Sequence, residues 1–158
     1  MYANKYMEYL TIEKKEALEK ELKELKSVRR KEIADSLEYA KSLGDLSENA
    51  EYHQAREDQA NCEDRITHLE QVLKNAVIMD EKQHGDKVQV GSTVILVKKG
   101  EKEEREFVIV GSEEADSLNG KISNESPLGK AILGKAKGDT VSFMSPKGET
   151  SWTIKNIK

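Results

Sequence analysis

The first half of the sequence is almost free of the residues that interrupt helices. Of 158 residues, ten are glycine and two are proline. Gly44 is nevertheless the only glycine before Gly85, and both prolines, Pro127 and Pro146, come later. So few breakers favour long helices in the first half, whereas the later glycines favour a domain rich in turns. The sequence therefore predicts two structurally unlike halves.

Other scarcities exclude several classes of protein. Cys62 is the only cysteine, so an internal disulfide is excluded, and no Cys/His cluster has the spacing of a zinc site. No apolar run approaches the ~20 residues that span a bilayer. The net charge of −4 argues against a polybasic nucleic-acid binder. We expect a cytoplasmic protein that has no membrane partner and no signal region among its charged first residues.

Two charged segments show the apolar spacing of a narrow coiled-coil seam. In residues 12–43 the seam comprises Leu18, Leu22, Leu25, Ile33, Leu37 and Ala40. In residues 48–76 it comprises Tyr52, Ala55, Gln59, Cys62, Ile66, Leu69, Leu73 and Ala76. The eight-residue step from Leu25 to Ile33 predicts a stutter-like break near Val28 and Arg29.

A short connection at Leu43–Ser47 separates the two predicted helices, so they must run antiparallel as a helical hairpin. Gly44 is placed to end the first helix in the left-handed conformation. Asp45 is predicted as the N-cap of the second helix, with Glu48 completing a capping box.

From Lys87 onward the apolar period changes to that of strands. We predict strands at Val88–Val90, Val94–Val97, Glu106–Val110, Thr140–Phe143 and Ser151–Ile157. One short helix is predicted, with Ser126 as its N-cap, Pro127 at its first position and Gly134 at its end. The predicted fold is a two-domain α+β chain. A coiled-coil hairpin spans 1–78 with an acidic tip at 44–49, a linker spans 79–86, and a small antiparallel sheet domain spans 87–158.

Two segments resemble known signatures. Residues 43–57 are LGDLSENAEYHQARE, and residues 122–135 are ISNESPLGKAILGK, followed by GDTV at 138–141. Both resemble, in order and spacing, the GreA/GreB family of bacterial transcript-cleavage (transcription elongation) factors. The resemblance implies an FKBP-like topology for the second domain. It also implies DNA binding, and a factor that binds RNA polymerase and enters its secondary channel. There the factor stimulates the polymerase's own Mg²⁺-dependent cleavage of backtracked nascent RNA, rescuing arrested complexes, without being an enzyme alone.

The resemblance also implies roles for individual residues. Asp45 and Glu48 would act in the polymerase active site as ligands of a shared Mg²⁺, with no cofactor held stably by the chain alone. Mg²⁺ prefers oxygen ligands, and two carboxylates need a partner to complete its shell. The residues predicted to contact the RNA 3′ end or to support the tip are Lys41, Ser47, Asn49, Tyr52 and Arg56. The residues predicted to dock on polymerase are Ser126, Pro127 and Leu128.

Less specific interpretations compete with each assignment. Asp45 and Glu48 also have the spacing of an ordinary helix cap. Lys41 and Arg56, and likewise the cluster Arg29–Lys31, have the character of solvated helix charges or of RNA contacts. For the whole chain the alternatives are a polymerase-binding inhibitor without cleavage activity, a prolyl isomerase or chaperone, and a plain coiled-coil adaptor.

Overall fold

The computed structural model describes residues 7–45, 47–79 and 85–158. Residues 13–76 form one compact unit, and the described residues of 1–12 and 77–158 form the other. The predicted boundary at 1–78 is therefore displaced, because strand β1 (Glu8–Leu10) pairs with strand β2 (Ala76–Ile78). Most of the predicted linker, residues 80–84, and Leu46 of the predicted tip lie outside the described residues. No helix in the described ranges is both long and apolar enough to cross a membrane.

The first unit is the predicted helical hairpin. Helix α1 (Ile12–Glu24), a π-helical turn (Leu25–Arg29) and helix α2 (Arg30–Ser42) form one arm, and helix α3 (Ala50–Lys74) forms the other. The arms meet along the predicted seam, whose buried cluster comprises Ile33, Leu37, Ala55, Cys62 and Ile66. Burying a narrow apolar stripe between two charged helices is the main source of stability in such a hairpin.

The π-helical turn coincides with the predicted break in the seam. The backbone N–H of Arg30 donates to the carbonyl of Leu25, which is the i to i+5 hydrogen bond of a π-helix. One extra residue is thereby absorbed between Leu25 and Ile33. Val28 is left 49% exposed, while Ile33 returns to the seam at 4% exposed.

The end of α3 departs from the predicted seam. Val72 is 3% exposed, whereas Leu73, the predicted seam residue, is only half-buried. The residue buried at this point of α3 is therefore Val72, one position before the predicted seam residue.

The second unit contains a five-stranded sheet. Its elements are β3 (Thr93–Lys98), β4 (Glu104–Val110), β5 (Lys121–Ser123), α4 (Pro127–Ile132), β6 (Thr140–Ser145) and β7 (Gly148–Ile157). The strand order is β5-β4-β3-β7-β6, and β1 and β2 form a separate two-stranded sheet. The buried core of this unit comprises Val88, Val94, Leu96, Ile109, Ile132, Val141, Trp152 and Ile154.

Two details of the predicted sheet are wrong. β4 and β5 pair in parallel, in contrast to the three antiparallel pairs, because residues 111–120 carry the chain back before β5 begins. Val88–Val90 is not a strand of the sheet. The Val88 side chain is buried in the core instead, and its backbone bonds the turn that follows α4. Its N–H donates to the Lys135 carbonyl, and its carbonyl accepts from the Gly134 N–H.

Candidate functional site

The hairpin tip begins where α2 ends at Ser42. Leu43 closes the helix by donating its backbone N–H to the Ala40 carbonyl at 3.2 Å. Gly44 follows with a φ of +107°, a conformation that residues with a side chain rarely adopt. The prediction that Gly44 ends the first helix of the hairpin is confirmed.

Asn49, not Asp45, caps the second arm. The Asn49 side-chain oxygen accepts a hydrogen bond from the Tyr52 backbone N–H at 3.0 Å, and α3 begins at Ala50. The prediction of a capping box formed by Asp45 and Glu48 is therefore wrong. Asp45 precedes the first helical residue by too many positions to reach the free amides of the first turn, which Asn49 reaches directly.

Asn49 also connects the two arms. Its side-chain Nδ2 donates to the carbonyl of Ala40 at 2.8 Å. Because a backbone N–H must donate and a carbonyl must accept, these two bonds determine which end of the amide is oxygen and which is nitrogen. One side chain therefore bonds the first turn of α3 and the last turn of α2 together.

Asp45 is an exposed carboxylate held by the loop that follows it. Its Oδ1 accepts the Ser47 backbone N–H at 3.0 Å and the Ser47 hydroxyl at 2.8 Å, an Asx-turn arrangement. These hydrogen bonds, that of the backbone amide first, lower the pKa of Asp45 below its ordinary value. None of the described residues donates to Oδ2, so one oxygen of a charged carboxylate faces outward.

Glu48 is exposed, and no described residue forms a hydrogen bond or an ion pair with it. With Asn49 as the cap, neither Glu48 nor Asp45 is needed to begin α3. Within the described ranges there is also no group of three or more metal-ligating side chains. Asp45 and Glu48 are oxygen donors of the type that Mg²⁺ takes, and two carboxylates are fewer ligands than its octahedral shell contains.

The other predicted tip residues divide into two groups. Ser47, Asn49 and the half-buried Tyr52 take part in the internal contacts of the tip. Lys41 and Arg56 are exposed on opposite arms, and Arg56 donates to Gln59 at 2.7 Å.

His53 is a tip residue that the sequence analysis did not select. Its Nε2 lies 3.3 Å from the Ser47 carbonyl, and its ring meets the Tyr52 ring edge to face, with centroids 5.9 Å apart. Its spacing from the other histidines excludes a metal site. Its place in the first turn of α3, six residues after Ser47, is the feature of the sequence that indicates a tip contact.

The basic cluster Arg29–Lys31 is mostly engaged within the hairpin. Arg30 binds Glu63 of the opposite arm through two hydrogen bonds of 2.7 and 2.6 Å, and Arg29 contacts Asp58 at 3.4 Å. The bond from Arg30 lowers the pKa of Glu63, and the same bond raises that of Arg30. Exposed pairs of this kind contribute little to the free energy of unfolding, but they help to set the register of the arms.

The predicted docking residues lie in the other unit, at the start of α4. Ser126 accepts the Gly129 backbone N–H at 3.0 Å and donates to the Ser123 carbonyl at 2.7 Å, which confirms its predicted N-cap role. Pro127 is the first residue of the helix, and Leu128 packs partly against the core. Gly129 permits the close packing, because a Cβ there would lie 2.0 Å from the Ser123 carbonyl oxygen.

A long helical hairpin with two exposed carboxylates at its tip, joined to a small sheet unit, defines a class of two-domain factors. Residues 8–78 match the family described as "Transcription elongation factor, N-terminal", and residues 82–158 match "Transcription elongation factor, GreA/GreB, C-term". The chain belongs to the GreA/GreB family of transcription elongation factors.

Individual relatives agree over nearly the whole chain. The sequence is 45% identical over 157 residues to a protein named transcription elongation factor GreA from Geobacillus kaustophilus, covering 99% of each chain. It is 46% identical over 151 residues to the GreA of Shouchella clausii, covering 95% of this chain and 96% of the other. A crystal structure of Gfh1 from Thermus thermophilus, a GreA factor homologue, is 31% identical, with a TM-score of 0.45 and coverage of 96% and 99%.

Proposed function

We propose that this protein binds RNA polymerase, inserts its hairpin through the secondary channel and stimulates cleavage of backtracked nascent RNA by the polymerase. The observation that supports this most directly is the state of the tip. Asp45 and Glu48 are exposed and unused in helix capping, and hydrogen bonds to Ser47 stabilise the charged form of Asp45. Two exposed carboxylates at the end of a hairpin suit delivery into a site that belongs to another molecule.

The hairpin has a suitable length for such delivery. Its first arm runs from Ile12 to Ser42, which at ~1.5 Å per residue corresponds to roughly 45 Å. A Mg²⁺ ion shared with polymerase would supply Lewis-acid activation of the attacking water and stabilisation of the leaving oxygen. The chain's part is to present Asp45 Oδ2 and the Glu48 carboxylate as oxygen ligands. The polymerase holds the remaining ligands and performs the hydrolysis, so the factor is not an enzyme alone.

Lys41 and Arg56 suit contacts to the displaced RNA 3′ segment. Both are exposed and lie on the two arms, on either side of the tip. Contacts from such cations to phosphates position a strand without selecting its sequence. The α4 segment Ser126–Leu128 is the proposed docking surface for polymerase, because its capped first turn presents Pro127 rigidly at the surface.

Substitution of the tip carboxylates tests the proposal. We expect Asp45→Asn and Glu48→Gln each to reduce Mg²⁺-dependent shortening of RNA in a backtracked elongation complex by about 100-fold or more. Metal charge stabilisation is worth several kcal/mol, and each 1.36 kcal/mol corresponds to a tenfold change in rate. Binding to polymerase, measured by competition, should remain within about twofold of the wild type because the docking segment is unchanged. Glu57→Gln, which neutralises another exposed carboxylate of α3, is the matched control and should retain cleavage.

Other outcomes would identify the alternatives. If the wild type binds polymerase and slows it without shortening RNA, the chain is an inhibitor and the cleavage proposal fails. Equal cleavage with wild type, Asp45→Asn and Glu48→Gln would contradict the metal assignment. The isomerase alternative lacks support: Trp152 is buried in the core, and Phe107 packs against it with ring centroids 6.0 Å apart.

A further inference from the structure

We propose that Asn49 is a positioning residue whose side-chain amide joins the two arms of the hairpin and thereby holds Asp45 and Glu48 in the geometry that binds metal. This inference rests on the proposed function above. The bonds that support it are those from Tyr52 N to Oδ1 at 3.0 Å and from Nδ2 to the Ala40 carbonyl at 2.8 Å.

The bond from Asn49 Nδ2 to the Ala40 carbonyl closes a ring around the tip. Ala40 and Asn49 are nine residues apart, and the intervening segment contains both carboxylates. Ala40 is itself anchored, since it is only 1% exposed in the seam between the arms. The bond from Nδ2 therefore ties the start of α3 to a buried point of α2, which restricts how far Asp45 and Glu48 can move relative to the two arms.

The chemistry of the side chain explains why asparagine suits this position. An aspartate offers an acceptor for Tyr52 but no proton for the Ala40 carbonyl. A serine caps a helix as well as asparagine does but is shorter, and we expect it to lose the bond to Ala40. Asparagine combines an acceptor and a donor at the required separation, so one side chain both caps α3 and connects the arms.

Positioning groups behind metal ligands have measurable effects. Loss of a residue that orients a ligand typically costs 10–100-fold in metal affinity or activity. For Asn49 we expect this cost to appear in the Mg²⁺ dependence of cleavage, because the ligands themselves remain present. The other partner of Asn49 is the backbone N–H of Tyr52, which every residue but proline provides, so capping and positioning are separated by substituting Asn49 itself.

The test compares Asn49→Ser, which keeps a cap but loses the bridge, with Asn49→Ala, which loses both. In the free full-length protein, we expect the ¹⁵N order parameters of the Ser47 and Glu48 amides to fall in both variants. The expected change is from about 0.85, typical of rigid backbone, to below about 0.6. Only Asn49→Ala should lower the melting temperature appreciably. In the cleavage assay both should raise the half-saturating Mg²⁺ concentration about tenfold, with the rate recovering at high Mg²⁺.

A merely structural role gives a different pattern. If Asn49→Ser has rigid tip amides and the Mg²⁺ dependence of the wild type, the positioning role is overturned while the cleavage function stands. If the Mg²⁺ dependence changes only in Asn49→Ala, in step with its melting temperature, capping alone is responsible and the inference fails. A wild-type protein that stimulates no cleavage would overturn the proposed function, and the positioning role with it.

Discussion

At the scale of single residues, the tip depends on short polar side chains that bond backbone groups a few positions away. The Asp45 side chain accepts a hydrogen bond from the Ser47 backbone N–H, and the Asn49 side chain accepts one from the Tyr52 backbone N–H. Such local bonds compete with helix formation, which is why these residue types occur at turns and caps. In this loop they have a second effect, because the donors of Ser47 stabilise the negative charge that the proposed function requires.

The pKa of Asp45 provides a prediction at this scale. Ser47→Ala removes the hydroxyl donor and keeps the backbone donor, which makes the larger contribution to lowering that pKa. We therefore expect the pKa of Asp45 to rise part of the way towards the ordinary value of about 3.9. An NMR titration of the Asp45 carboxyl carbon measures it. Ser36→Ala, which removes a hydroxyl bonded to the Glu32 carbonyl at 2.9 Å on α2, should leave the Asp45 pKa unchanged.

The lowered pKa of Asp45 also determines how its contribution to the free energy of unfolding changes with pH. A carboxyl whose pKa is lowered in the folded state contributes stability above its unfolded pKa, and the contribution is lost as the pH falls through the folded value. The wild type should therefore lose more stability than Ser47→Ala on acidification below about pH 4. An Asp45 pKa that is identical in Ser47→Ala and wild type would contradict the assigned hydrogen bond.

The choice of cap shows where prediction from single residues ends. Asp45 and Asn49 are both good N-cap residues, and the sequence alone does not determine which of them immediately precedes the first helical turn. That choice depends on how many residues the connection needs to bring two arms together, which is a property of the packed hairpin. Gly44 was predictable because only glycine readily adopts its φ of +107°.

At the scale of elements, the π-helical turn reconciles two requirements of one arm. The seam residues Leu25 and Ile33 must both face α3, but they are eight residues apart instead of seven. A single i to i+5 bond absorbs the extra residue while the helix continues. The position of the break was predictable from the spacing alone, because each additional residue turns an α-helix by about 100°.

Deletion of Ser27 tests this account of the arm. Removing one residue restores a seven-residue step between Leu25 and Ile33, so we expect an uninterrupted α-helix. The free energy of unfolding should fall by at most about 1 kcal/mol, which is within the usual range of mild substitutions. Deletion of Asp35 is the matched control. This deletion rotates Leu37 by about 100° around the helix axis relative to Ile33, so the two side chains no longer lie on the same face. The free energy of unfolding should fall by about 3 kcal/mol or more because apolar side chains leave the seam. Thermal unfolding followed by circular dichroism compares the two, and equal losses would contradict the compensating role of the π turn.

The short strands were the elements hardest to predict. β1, β2 and β5 have three residues each, too few for an alternating pattern to stand out. Their existence depends on pairing with distant segments. β5 adds to β4 in parallel because the turns between Gly111 and Gly120 return the chain to the same edge. By contrast β3, β4, β6 and β7 were anticipated from their own residues.

At the scale of the whole molecule, residues 8–11 are bonded to the second half of the chain. Thr11 donates both its backbone N–H and its hydroxyl to Glu114 at 2.8 Å, and Ser112 donates to Glu8 at 2.7 Å. These contacts join residues that are more than 100 positions apart. The unit formed by residues 77–158 therefore includes residues 8–11, although nothing in their local sequence indicates it.

Gly111 is the residue at which this long-range contact is most sensitive. A Cβ on residue 111 would lie 1.9 Å from the Tyr9 carbonyl oxygen, so Gly111→Ala must push the segment containing β1 away. Overpacking of this kind costs about 1–3 kcal/mol. We expect Gly111→Ala to have a lower melting temperature than the wild type. We also expect it to accelerate amide hydrogen exchange in residues 8–11 more than in the seam of the hairpin. Lys102→Ala, at an exposed position between β3 and β4, should change neither.

If Gly111→Ala accelerated exchange in α2 and α3 as much as in residues 8–11, the two units would unfold as one. That result would contradict the assignment of β1 to the unit that contains residues 77–158.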